Sequence, residues 1–141
     1  ELESYCRRFL IPYIDIGMDI HKIKNGYSIS GQIITSLPNS PCMRCLGYIT
    51  DKKLSEEQIN YGSAGGKPQV IWPNGVLASI AVGQLVSIIS PWNSDMKLEA
   101  MIEYDGNRQI TKHSSKLPVL EQQVCKHFDT NGRLGDPFFI P

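Results

Sequence analysis

The sequence carries no excess charge of either sign: 14 Lys and Arg balance 14 Asp and Glu over 141 residues. A balanced chain has no global electrostatic pull toward nucleic acid or an anionic membrane, so neither is expected as a partner. It also lacks a long apolar run. The longest, VLASIAVGQLVSII at 76–89, is interrupted by Ser79, Gln84 and Ser87 and falls short of the roughly 20 residues that span a bilayer. No basic segment leading into an apolar one follows Glu1, so no secretory signal is in view, and an opening on ELESYCRRF reads as a fragment or a processed product. Cysteine is sparse, at positions 6, 42, 45 and 125 only. Uneven spacing without a secretory signal argues against a disulfide framework and for a reducing, cytoplasmic setting. No Ser nucleophile forms a triad with His21, His113 or His127, and no catalytic residue is assigned. The Gly-rich GSAGGK at 62–67 lacks the spacing of a phosphate loop and does not clearly pass from strand into helix.

What is present suits one domain or part of a larger one, with a hydrophobic fraction of 41% and 20% charged residues. Leu2, Tyr5, Cys6 and Phe9 recur at helical spacing and predict a helix over about 1–9. LIPYIDIG reads as a short buried strand ending at Gly17; Asp15 within it reads as a cap for a neighbouring turn. Asn25-Gly26, between two alternating runs, predicts a hairpin because both residues tolerate positive φ. This order suggests the later half of an α/β sheet. Ser55 and Gln58 predict one short helix in an otherwise polar stretch, before the Gly-rich loop. Asn74 is expected to cap a long helix running to about Ser90, with Pro91 beyond it; it is apolar on most sides, Ala78, Ala81 and Gly83 permit close approach, and it is expected to be buried against a sheet, a subunit, or both. In KLEAMIEY, residues Leu98, Ala100, Ile102 and Tyr104 alternate on one face, and Asp105-Gly106 predicts a second hairpin into RQITKH. From Ser114 the chain is rich in turn residues.

SPCMRCLG, at 40–47, is the one motif with chemistry built in. Two thiolates two residues apart can hold one tetrahedral zinc, because a tight turn brings both sulfurs to one point, and Pro41 and Gly47 favour such a turn. Cys42 and Cys45 are half a site. The remaining candidates are Cys125, His127, His113, His21 and Cys6; Cys125 with His127 is the most economical pair, in one loop. Two further readings stay open: reduced cysteines in a simple turn, and a redox dithiol, which requires a low-pKa thiolate at a helix N-terminus.

The order of these motifs resembles the C-terminal half of the ThiF/MoeB/HesA family, the ubiquitin-activating-enzyme-like adenylyltransferases. The resemblance rests on IPYIDIG, GQIITSLP, PCMRC, a long crossing loop and PNGVLASIAVGQLVSII with the hairpin that follows, from about Tyr5 to Tyr104; the closing GRLGDP is similar to the ends of some bacterial members. It implies an α/β fold, the second half of a Rossmann-like domain, with a mixed sheet, two β-hairpins and one long buried helix. Residues 1–141 would be a single partial domain whose nucleotide-binding half lies elsewhere. In the parent enzyme, ATP and magnesium serve to adenylate the C-terminal glycine of a ubiquitin-like or sulfur-carrier protein, by alignment and charge neutralisation. This chain, without the phosphate-binding residues, is expected to be inactive alone. The crossing loop, about Tyr48 to Trp72, would pass over the carrier's tail, and it holds no cysteine for a thioester. Zinc-bearing members use two C-x-x-C pairs. Cys42 and Cys45 match the first; Cys125 matches the start of the second, whose other position holds Phe128, so His127 substitutes or the site has decayed. The resemblance and the apolar helix together lead us to expect a homodimer or contact with the missing half. The alternatives are a non-catalytic binding module for ubiquitin-like proteins and a C-x-x-C dithiol oxidoreductase.

Overall fold

The computed structural model describes residues 1–38, 40–60, 70–92, 94–95, 98–115, 117–120, 125–128 and 134–136, with side chains left out at 57–60. The GSAGGK segment and half of GRLGDP, residues 132, 133 and 137, lie outside the described residues. In chain order the elements are α1 (Leu2–Arg8), β1 (Tyr13–Ile23), β2 (Gly26–Ser36), α2 (Asp51–Asn60), α3 (Ile71–Ile89), β3 (Met101–Asp105), β4 (Ile110–His113) and α4 (Leu117–Leu120). The fold is mixed α/β.

The four strands form one sheet in the order β1-β2-β3-β4, and every pairing is antiparallel. The expected mixed sheet is therefore corrected among the described residues. Each strand lies beside its sequence neighbour, and the chain carrying α2 and α3 leaves β2 and returns beside it as β3, so no parallel neighbour arises.

Both expected hairpins form. In the first, Ile23 pairs with Gly26, so the two-residue loop is Lys24-Asn25, one residue earlier than the dipeptide suggests, and Gly26 opens β2 at φ +133°. This register sets Ile16 against Ile33 and Met18 against Gly31, so that Ile14 and Met18 pack with Ile33 on one face while Tyr13 and Ile34 share the other. β1 does not end at Gly17. It runs on through Ile23, because Gly17 opposite Gln32 leaves the room in which the Gln32 amide donates to the Tyr48 hydroxyl at 2.6 Å. In the second hairpin, Asp105 Oδ1 accepts from the N–H groups of Asn107 and Arg108, both at 3.1 Å, and closes the turn into β4.

The sheet has a core on each face. On one, Ile33, Ile102 and Tyr104 pack with Leu77 and Ala81 of α3. On the other, Ile34 and Met101 pack with Ala100, Leu117, and Met43 and Leu46 from the cysteine turn. Ala100 thus departs from the face expected for it alongside Ile102 and Tyr104, because the regular pleat begins only at Met101.

The helices correct the sequence reading in several places. α3 starts at Ile71, after Val70, and Asn74 lies inside its first turn, with its side chain donating to the Val70 carbonyl at 3.2 Å. Although apolar on most sides, it is buried on one face only, against the sheet. Pro73, Leu77, Ala81, Gln84 and Ser87 face inward, whereas Val82, Leu85, Val86 and Ile89 are exposed; Ala78 is exposed and Gly83 has open space beside it. Over Ile71–Ile89 an 18-residue window has a mean hydropathy of 1.4, so α3 is long and apolar enough to cross a membrane by length and composition; one of its faces is docked on the sheet. α1 forms where the spacing predicts it, yet its apolar Leu2 and Tyr5 point outward and its buried residues are Glu3 and Arg7. α2 begins at Asp51 rather than near Ser55; Thr50 Oγ1 accepts from the Lys53 N–H at 3.2 Å and serves as its cap.

Candidate metal centre

Residues 42–48 fold into a compact turn: the Leu46 N–H donates to the Cys42 carbonyl at 3.0 Å and the Tyr48 N–H to the Met43 carbonyl at 2.9 Å. Gly47 relieves the end of the turn at φ +68°, a value glycine adopts without strain. The three-residue step divides the segment. Met43 and Leu46 enter the core, while the Sγ atoms of Cys42 and Cys45 come to 3.6 Å from each other. The Cys45 N–H also points at Cys42 Sγ, at 3.4 Å, a contact that stabilises a thiolate.

The second half of the site arrives from 125–128. Cys125 Sγ stands 3.6 Å from Cys45 Sγ, and His127 Nδ1 lies 3.3 Å from both Cys42 Sγ and Cys45 Sγ. All four donor atoms fall within 4.8 Å of one another. A tetrahedral zinc with bonds of about 2.3 Å to sulfur and 2.0–2.1 Å to nitrogen requires donor separations of roughly 3.8 Å and 3.6 Å. The four close spacings of 3.3–3.6 Å match to within a few tenths of an ångström, and the remaining pairs stay within 4.8 Å. They are far longer than a disulfide bond of about 2.05 Å, and all four cysteines are free. Three soft sulfurs and one imidazole suit zinc, with no donor position left open for a substrate, the pattern of a structural site. Exposure grades across the centre, with Cys42 buried, Cys45 and Cys125 half-buried and His127 exposed.

Without metal the two thiols are pushed in opposite directions. Burial pushes Cys42 up to about 12, against the opposing backbone hydrogen bond from Cys45. At Cys125 burial also raises the pKa, but it is outweighed by the backbone hydrogen bond with His127, by hydrogen bonds with Cys42 and Cys45 and by the charge of Arg7, so the thiol sits below its ordinary range.

The other candidate ligands go elsewhere. Cys6 lies in α1 outside the cluster. His21 Nε2 is 3.1 Å from Asp19 Oδ2, and His113 Nδ1 is 3.4 Å from Glu99 Oε1, both on exposed imidazoles. Asp15 caps no turn: its Oδ1 accepts from the Tyr13 hydroxyl at 2.9 Å within β1. Phe128, at the position where a second C-x-x-C would place its last cysteine, instead lays its ring 5.0 Å from the Arg7 guanidinium. The signal missed in the sequence is Glu3 with Arg7, an i,i+4 charged pair on what reads as an apolar helix.

Beside the centre, a cavity of about 470 Å³ opens between β1 and the start of the crossing segment. Tyr13, Asp15 and Asp19 form one wall, and Tyr48, Lys53 and Leu54 the other. No family model and no curated protein matches this sequence.

Proposed function

We propose that this chain is the carrier-binding and dimerising part of an ATP-dependent adenylyltransferase of the ThiF type, stapled by a structural zinc. The observation that carries the reading is the meeting of two donor pairs. The resemblance implies one pair after the first hairpin and one near the C-terminus, and Cys42 and Cys45 lie within bonding range of a common point with Cys125 and His127. Two features support it further. The cavity of about 470 Å³ is walled by Tyr48, Lys53 and Leu54, at the head of the segment expected to pass over the carrier's tail. The outer face of α3 presents Val82, Leu85, Val86 and Ile89 without cover among the described residues, as a surface meant for a second copy or for the nucleotide-binding half would. In this reading the finer fold is the second half of a Rossmann-like domain, residues 1–141 are one partial domain, the parent binds ATP and magnesium, and the setting is the reducing cytoplasm. A ubiquitin-like or sulfur-carrier protein is the partner.

The test uses the natural polypeptide that contains this segment, together with a ubiquitin-like carrier ending in glycine. Carrier-dependent ATP–pyrophosphate exchange by that polypeptide, and none by residues 1–141 alone, is the expected result. Carrier binding without exchange would favour the non-catalytic module, and neither binding nor exchange would overturn both. The dithiol reading needs a low-pKa thiolate at Cys42. Burial pushes that thiol the other way, up to about 12.

A further inference from the structure

Arg7 is the most completely buried long side chain of α1, at 1% exposure. A guanidinium taken out of water is costly unless its donors and its charge are matched. Its donors are matched by the segment leading to Cys42: Nε donates to Ser36 Oγ at 2.8 Å, Nη2 to the Ser40 carbonyl at 2.8 Å and Nη1 to the Pro38 carbonyl at 3.4 Å. Glu3 Oε1, 3.7 Å from Arg7 Nε, accepts from Ser36 Oγ at 2.7 Å and from the Met43 N–H at 2.9 Å. The helix therefore grips both flanks of Cys42. On its other side the same guanidinium faces the ring of Phe128, the residue after His127.

We infer that Arg7 is a positioning residue of the metal centre, holding the two ligand pairs in register from outside the coordination sphere. This rests on the metal-site reading above. Two consequences follow from one side chain. Its hydrogen bonds orient the loop that delivers Cys42, and its stacking on Phe128 orients the loop that delivers Cys125 and His127. Its charge also answers the charge of the centre, since three thiolates and a neutral imidazole on a divalent cation leave one negative charge in a half-buried place. Outer-sphere partners of this kind commonly set metal affinity by about 10- to 100-fold.

The test is cobalt and zinc binding by the purified chain, with Co²⁺ read by its visible absorption and Zn²⁺ by competition with a chromogenic chelator. The wild type is expected to bind one ion with the strong absorption of a tetrahedral thiolate site. Arg7→Met is expected to keep one ion per chain but to bind it about 10- to 100-fold more weakly, with Arg7→Lys in between because it keeps the charge and loses the fork. A merely structural Arg7 would lower the melting temperature equally with and without metal; the inference requires the larger loss in the metal-loaded protein. If Arg7→Met does not fold, Phe128→Leu carries the test, because it removes only the ring face, and a weakening of about tenfold is expected. Wild-type cobalt bands with unchanged affinity in the folded variants would overturn the role of Arg7 alone. A wild type without cobalt bands would overturn the metal reading and this inference with it.

Discussion

Cys45 Sγ and Cys125 Sγ lie 3.6 Å apart although 80 residues separate them in sequence. No strand pairing spans that interval directly; the cysteine turn is held by Met43 and Leu46 in the core, and the 125–128 segment meets Arg7 through Phe128. The four donors converge only in the folded chain, so an ion that prefers all four over the local Cys42–Cys45 pair adds the difference in binding free energy to folding stability.

Metal removal should therefore be costly. Treatment with a strong chelator is expected to lower the melting temperature by about 10 °C, since each kcal/mol is about 3–4 °C for a domain of this size and a structural metal contributes a few kcal/mol. Cys45→Ser should melt near the chelated wild type and be insensitive to chelator. Equal melting of the wild type with and without chelator would contradict a structural metal.

Gly31 sits where α3 crosses β2. A Cβ there would come within 2.7 Å of a Leu77 methyl, and Leu77 is fully buried. Gly31→Ala is expected to destabilise the fold by about 1–3 kcal/mol through overpacking, as read by urea denaturation. Combining it with Leu77→Ala should cost less than the sum of the two changes, because the smaller side chain removes the Leu77 part of the clash and leaves only the Gly17 carbonyl at 2.9 Å.

Tyr13 sets an alkaline limit. Burial, followed by the hydrogen bond to Asp15, raises its phenol to about 12 from an ordinary value near 10. The folded chain holds this proton longer than the unfolded one, so the contribution is fully present below pH 10 and is lost as pH rises toward 12. Tyr13→Phe should flatten that part of the stability–pH curve relative to wild type, measured by denaturant unfolding between pH 9 and 11.5. A parallel fall in both proteins would show that Tyr13 is not responsible.

The uncovered face of α3 makes a prediction about association. Val82 and Ile89 are 58% and 74% exposed, so Val82→Asp and Ile89→Asp should change stability by no more than about 0.5 kcal/mol. Both should nevertheless reduce self-association of the 15.8 kDa chain in light scattering. A wild type that stays monomeric at high concentration would remove the argument for a homodimer through this face.

How far this was legible in the sequence depended on how local each signal was. Asn25-Gly26 and Asp105-Gly106 marked both hairpins because turn chemistry is written within four residues. Cys42, Cys45, Cys125 and His127 were legible as one candidate cluster because few other residues offer soft donors, and the structure brings them together. Periodicity failed on α1, where the apolar stripe of Leu2 and Tyr5 faces outward and the buried stripe is Glu3 and Arg7. A charged pair goes inside only when distant groups answer it, here Ser36, Ser40 and the Met43 N–H, and no local pattern records them. The inner face of α3 misled for the same reason: Gln84 and Ser87 are buried while Leu85 and Ile89 are not. Gln84 Oε1 has no hydrogen-bond partner among the described residues.

The donor pairs lie on either side of residues 46–124, and this gives the centre a second property. A protease that cuts once anywhere in that interval leaves Cys42 and Cys45 on one piece and Cys125 and His127 on the other. While the ion is bound, the nicked protein travels as a single particle held by four coordinate bonds as well as by its sheet. Stripping the metal would leave the two pieces of such a cut joined by sheet and core packing alone.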